Sequence, residues 1–241
     1  MKMYKKVMAA ALAGVMTVSM SATAFAADDD GYILKATNED SKSSDNDLVI
    51  AIEGSVSSMD PANIPDTNAI SATRGVYETL VSFDENQELT GKLAESWEVS
   101  DDSLTYTFKL RQGVKFQDGT DFNAAAVKAN YDRVVNKDNN LRQRRTFIVT
   151  NEDGSETPRV DSIETPDDYT LVIKLTQAWA PFINRLTQFC IISPAALEEY
   201  GNDIMNHPCG TGPYVCTEWE EGDHTSFKPV SYTHLTLPTK A

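Results

Sequence analysis

Basic residues are scarce in this chain. Its 241 residues hold 21 Lys and Arg against 36 Asp and Glu, a formal charge of −15 at pH 7. Nucleic acids and anionic membrane surfaces are held by clustered Lys and Arg, so this charge balance argues against both partners. The one basic cluster, Arg142, Arg144 and Arg145, reads as a solvated surface segment. Histidine is equally thin, with only His207, His224 and His234. There is no H-E-x-x-H pair, no G-x-S-x-G elbow, and no G-x-x-x-x-G-K run followed by Ser or Thr. These absences remove the usual zinc protease, serine hydrolase and phosphate-loop chemistries. Cys190, Cys209 and Cys216 lack zinc-ligand spacing, and an odd number leaves at least one thiol unpaired. The extended path from Cys209 to Cys216 argues against a bridge between them, so buried, inert thiols are expected. Asp60 before Pro61 reads as a turn former rather than an acid catalyst. No catalytic residue, metal or cofactor is called for.

What is present is a set of strand and helix patterns. Ser96 to Val99 and Thr105 to Leu110 read as two strands joined at Asp101-Asp102-Ser103, with Tyr106, Phe108 and Leu110 alternating against Thr105, Thr107 and Lys109. Asp118-Gly119 marks a tight turn. Phe122 to Val135 has apolar residues at Phe122, Val127, Tyr131 and Val134 or Val135, a helical face that Asn123 can cap. Val160 to Thr165 and Tyr169 to Leu175 form a second hairpin. Pro194 to Tyr200 is a short helix with Pro in its first turn and Gly201 past its end. Leu48 to Ile52 reads as a buried first strand, and about Asn68 to Leu80 as a helix with Ile70, Val76, Tyr77 and Leu80 in the core. Gly210, Gly212 and Pro213 break the chain before a strand from Val215 to Trp219. Trp97, Trp179 and Trp219 are expected in the core. Strands and helices do not alternate regularly, which predicts an α+β class.

The ends read differently. Lys2, Lys5 and Lys6 precede an apolar stretch from Val7 to about Met20, and Ala24-Phe25-Ala26 supplies an A-x-A site. Residues 1–26 are therefore expected to be a secretory signal peptide, with export to the periplasm or beyond. The stretch is short for a membrane anchor, and no cysteine near the cleavage site offers a lipid attachment point. Residues 27–47 read as a flexible acidic leader. Without Lys2, Lys5, Lys6 and Lys240, 17 basic residues face the 36 acidic ones. Val230 to Thr239 spells the translation of a transposon-end sequencing adapter, so 229–241 is expected to be an artefactual tail. The remaining 48–228 is enough for one core.

Across 48–228 the chain resembles the family 5 extracellular solute-binding proteins, the receptors of peptide-type ABC importers. The stretches that carry the likeness are LVIAIEGSVSSMDPAN from Leu48, VYETLVSFDEN from Val76, and the ungapped LAESWEVSDDSLTYTFKLRQGVKFQDGTDF from Leu93. AWAPFINRLTQ, ISPAALEEYG and GTGPYV follow in family order. FNAAAVKANYDRV and SPAALEEYG look most like the subgroup that captures glutathione and short peptides.

The resemblance implies the N-terminal part of a two-lobed periplasmic-binding-protein fold of the type II, peptide-binding kind, truncated. It implies a monomeric receptor that is no enzyme. The receptor closes on a short peptide or glutathione-like solute and delivers it to an ABC permease and ATPase, meeting the membrane only through the permease. In this family main-chain hydrogen bonds and water meet much of the peptide backbone. Carried onto this sequence, the ligand-binding candidates are Ser57, Met59, Asn63, Ile64, Thr67 and Asn68. The charged groups that pair with a peptide's ends belong to the family's later half and are not expected here. A nickel- or haem-binding member of the family remains an alternative. A secreted hydrolase is the alternative from another class, poorly supported by the missing nucleophile constellation.

Overall fold

The alternation at Tyr106, Phe108 and Leu110 is realised in a four-stranded antiparallel sheet. The structure is a computed structural model that describes residue 50 and residues 52–230. The expected signal peptide, the acidic leader, most of the expected first strand and the tail from residue 231 lie outside the described residues.

Five short segments come first: helix α1 (Thr67–Thr73) and strands β1 (Glu78–Thr79), β2 (Val81–Phe83), β3 (Leu89–Gly91) and β4 (Ala94–Val99). Then follow β5 (Thr105–Leu110), α2 (Ala124–Val135), α3 (Arg144–Phe147), β6 (Ile148–Thr150) and β7 (Glu156–Pro158). The chain continues through β8 (Val160–Asp167), β9 (Thr170–Leu175), α4 (Phe182–Leu186), β10 (Cys190–Ile191) and α5 (Pro194–Tyr200). The last elements among the described residues are the hairpin strands β11 (Tyr214–Glu220) and β12 (His224–Pro229). The class is α+β.

The two predicted hairpins join through their inner strands, in the order β4-β5-β9-β8. Tyr106 faces Ile173, and Phe108 faces Leu171. These four residues, with Leu110 and Leu175, are buried on one face, as a period of two requires. Helix α2 packs against β8 and buries Ala124, Ala126, Val127, Asn130 and Val134. Its start is capped as expected, the Asn123 side chain accepting from the Ala126 amide at 2.9 Å. Phe182 sets its ring against Tyr106 with centroids 4.7 Å apart, an edge-on pair that closes one end of the core. Helix α5 also forms where expected, capped by Ser193 and ended at Gly201.

Three expectations are corrected. The helix predicted from Asn68 to Leu80 stops at Thr73. Beyond it, the carbonyls of Gly75 and Val76 accept from the amides of Tyr214 and Gly212 at 3.0 and 2.8 Å. Backbone claimed by an incoming segment cannot continue a helical ladder, and Glu78–Thr79 becomes a strand paired with β10. Val76, Tyr77 and Leu80 are core residues, but Ile70 is 41% exposed.

The buried first strand is not found at its described residues, because Ile50 and Ile52 are 63% and 46% exposed. An apolar run is buried as a strand only when a neighbour pairs with it, and β11 pairs only with β12 among the described residues. That hairpin runs through Pro229, which lies opposite Tyr214.

Arg144 is not simply solvated. Its guanidinium grips Glu156 with two 2.7 Å bonds, and its Nε donates to the Val135 carbonyl at 2.9 Å. Arg142 and Arg145 are exposed.

Candidate functional site

The segment from Glu53 to Asn68 is almost free of regular structure, and side chains replace the missing ladder. Asp60 accepts from the Ala62 amide at 3.0 Å and so caps the single helical turn Pro61–Asn63. Pro at the first position of that turn gives up only an amide that has no partner anyway. Asp66 caps α1 through the Ala69 amide at 2.9 Å and accepts from the Ser57 hydroxyl. The Ser57 bond, and then the Ala69 amide, hold the Asp66 carboxyl below its ordinary range. Asn68 donates to the Glu53 carbonyl at 2.7 Å. That bond lies over Gly54, whose φ is +100° and where an added Cβ would sit 2.8 Å from the Asn68 amide nitrogen. Glycine is needed there for both reasons.

Four contacts tie this loop to the body. The buried Tyr77 hydroxyl donates to the Met59 carbonyl at 3.1 Å, and burial pushes its pKa up. The Gln143 amide donates to the Ala62 carbonyl at 3.0 Å. The Trp219 indole donates to the Val56 carbonyl at 2.9 Å. Finally, the Arg133 guanidinium from α2 meets both oxygens of Asp60, at 2.7 and 3.2 Å.

The six candidate residues fall into three environments. Met59 is fully buried and supports the loop from beneath. Ser57, Ile64 and Asn68 are half-buried, the polar two engaged within the loop as described. Asn63 and Thr67 are exposed. The loop thus presents the exposed side chains of Asn63 and Thr67 on a base pinned through the carbonyls of Val56, Met59 and Ala62. Asp60, Arg133 and Trp219 were not among the predicted site residues. No local pattern could link partners 73 and 163 positions apart.

A second polar seam joins the last glycines to the body. Gln117 Nε2 donates to the carbonyls of Tyr214 and Gly212 at 2.7 and 3.1 Å, and its backbone amide donates to the Gly210 carbonyl at 2.9 Å. A Cβ on Gly210 would meet the Val76 carbonyl oxygen at 2.2 Å, so only glycine lets the two backbones approach. Beneath this seam Glu78 is buried, with Thr211 donating to it at 3.0 Å and the Lys92 ammonium paired with it at 3.5 Å.

The three cysteines are free thiols. Burial pushes Cys190 and Cys209 up to about 12, well away from the thiolate needed for reactivity. Glu220, Asp223 and His224 come together at the exposed tip of the β11–β12 hairpin, where carboxylates raise the His224 pKa. Between α2 and α5 lies an open groove of about 270 Å³, bordered by Arg133, Asn139, Leu197 and Glu198. None of these groupings assembles a nucleophile with a base.

Residues 88–232 match the family described as bacterial extracellular solute-binding proteins, family 5 Middle. The chain belongs to that family.

Among its relatives is the glutathione-binding protein GsiB of Shigella dysenteriae serotype 1. It is 38% identical over 217 residues, which are 89% of this chain and 37% of that protein. The chain thus spans little more than a third of that relative's length. Solved structures agree. The periplasmic protein DppA of Helicobacter pylori, in complex with the peptide STSA, is 30% identical with a TM-score of 0.59, covering 73% of this chain and 37% of that one. NikZ of Campylobacter jejuni, in complex with Ni(L-His), is 28% identical with a TM-score of 0.62, covering 72% and 33%. Among the described residues no helix is long and apolar enough to cross a membrane.

Proposed function

We propose that this protein is the substrate-binding component of an ABC importer, capturing short peptides, glutathione among them, for a membrane permease and its ATPase. The observation that carries the reading is the 38% identity to a glutathione-binding protein across 89% of the chain. In this reading residues 1–26 direct export, 27–47 form a leader, and 48–228 contribute part of the ligand-binding fold. The protein acts outside the cytoplasm and has no catalytic role. Ser57, Asn63, Ile64, Thr67 and Asn68 contribute to the ligand-facing surface, with Met59 beneath them. The exposure of Asn63 and Thr67 supports this assignment. A loop pinned in this way suits ligands whose common feature is a peptide backbone.

Calorimetric titration of glutathione and of di- to pentapeptides, into the gene product at the length of those relatives, tests the reading. Binding of at least one at about micromolar affinity, roughly −8 kcal/mol, is expected. A nickel complex or haem is the second reading, its nickel form favoured by the likeness to NikZ. Binding of nickel-histidine or haem, with no peptide bound, would replace the first reading by the second.

A further inference from the structure

We propose that Arg133 is a positioning residue for the Ser57–Asn68 loop: through Asp60, helix α2 sets where the loop's ligand-facing groups stand. The proposal rests on the reading of that loop given above, and it concerns a residue with no place among the candidate ligand contacts.

Three observations carry it. The Asp60–Arg133 pair is two-pronged, and its side chains are only 7% and 10% exposed. It is the one ion pair anchoring this loop among the described residues, the other ties being single hydrogen bonds to main-chain groups. A planar guanidinium meeting both carboxylate oxygens restrains direction as well as distance, which a point charge does not.

The same Asp60 carboxylate caps Pro61–Asn63, so one group joins the loop's turn to the helix. The helix itself is firm at that point. Asn139 donates to the Arg133 carbonyl at 2.9 Å, and Val134 beside it is in the core. Recognition by main-chain groups works only when those groups are held to within about 0.5 Å, and residues behind the contact surface supply that restraint.

Amide hydrogen exchange on the full chain, read by mass spectrometry, tests the proposal without any ligand. It therefore stands or falls apart from the titration of peptides. In Arg133→Met, amides of 57–68 should exchange at least tenfold faster, while α2 and the β4-β5-β9-β8 sheet keep their protection. Arg133→Lys should restore part of the protection. Asp60→Asn with Arg133→Met keeps an oxygen to cap Ala62 and leaves no unpaired buried charge. It should fold and still show the fast loop, and it decides the matter if Arg133→Met does not fold. Unchanged exchange at 57–68 in that double variant, or equal acceleration throughout the domain, would overturn the assignment.

Discussion

Asn130 treats Ile192 as a neighbouring strand would. Its amide nitrogen donates to the Ile192 carbonyl at 2.8 Å, and its carbonyl oxygen accepts from the Ile192 amide at 3.0 Å. Both residues are buried, so a helix side chain supplies the hydrogen bonds of a backbone with no other partner among the described residues. Asn130→Leu should therefore leave two buried backbone groups unsatisfied, at about 1–3 kcal/mol each. Urea unfolding should report a loss of that order, with helix content retained.

Gly210→Ala should be more damaging than an ordinary surface substitution. The added Cβ meets the Val76 oxygen at 2.2 Å, Cδ1 of the buried Tyr77 ring at 2.6 Å and the Tyr77 Cα at 3.0 Å, and the backbone among these cannot swing aside. We expect a lowered midpoint in thermal unfolding. Gly113→Ala offers a control: nothing lies within 4 Å of its added Cβ, and only its φ of +73° opposes the change.

Met59 and Thr67 should separate stability from binding. Met59→Ala empties a fully buried site and should cost about 2–5 kcal/mol in urea unfolding. Thr67 is exposed, so Thr67→Ala should change stability little. If Thr67 contacts ligand as proposed, its loss should show in the affinity for glutathione or peptide measured by calorimetry.

Acid should loosen the loop through Asp66. Its folded pKa lies below the ordinary value of 3.8, the Ser57 hydroxyl being the main cause. A depressed carboxyl stabilises the fold above its unfolded pKa, and this contribution is lost as pH falls from 3.8 through the folded value. Asp66→Asn keeps a capping oxygen but removes the titration. Its unfolding midpoint should depend less on pH below about 4 than that of the unaltered chain.

The thiols should be slow to react. Iodoacetamide at pH 8 should leave Cys190 and Cys209 unmodified in the folded chain and label all three in denaturant. Their pKa values, raised to about 12 by burial, leave almost no thiolate. Peptide mass mapping reads the result directly.

Local pattern accounts for much of this molecule. The β4–β5 and β8–β9 hairpins, the Asn123-capped helix and the Pro194–Tyr200 helix are visible in sequence, because alternation, caps and turn residues act over a few positions. The family is also legible there, in an ungapped stretch of thirty residues from Leu93 to Phe122. Candidate loop residues could be named from that likeness, but whether each faces solvent or core could not. Met59 and Asn63 stand four positions apart in one loop, yet one is fully buried and the other exposed.

Only the tertiary structure decided the rest. Helix α1 ends at Thr73 because a segment more than a hundred positions later takes the carbonyls of Gly75 and Val76. Ile50 and Ile52 have strand character but join no ladder among the described residues. The loop's anchor pairs Asp60 with Arg133, 73 residues away. Periodicity carries information about neighbours along the chain, whereas a buried polar group is satisfied by whatever folding brings beside it. That choice is made by packing, and local sequence does not record it.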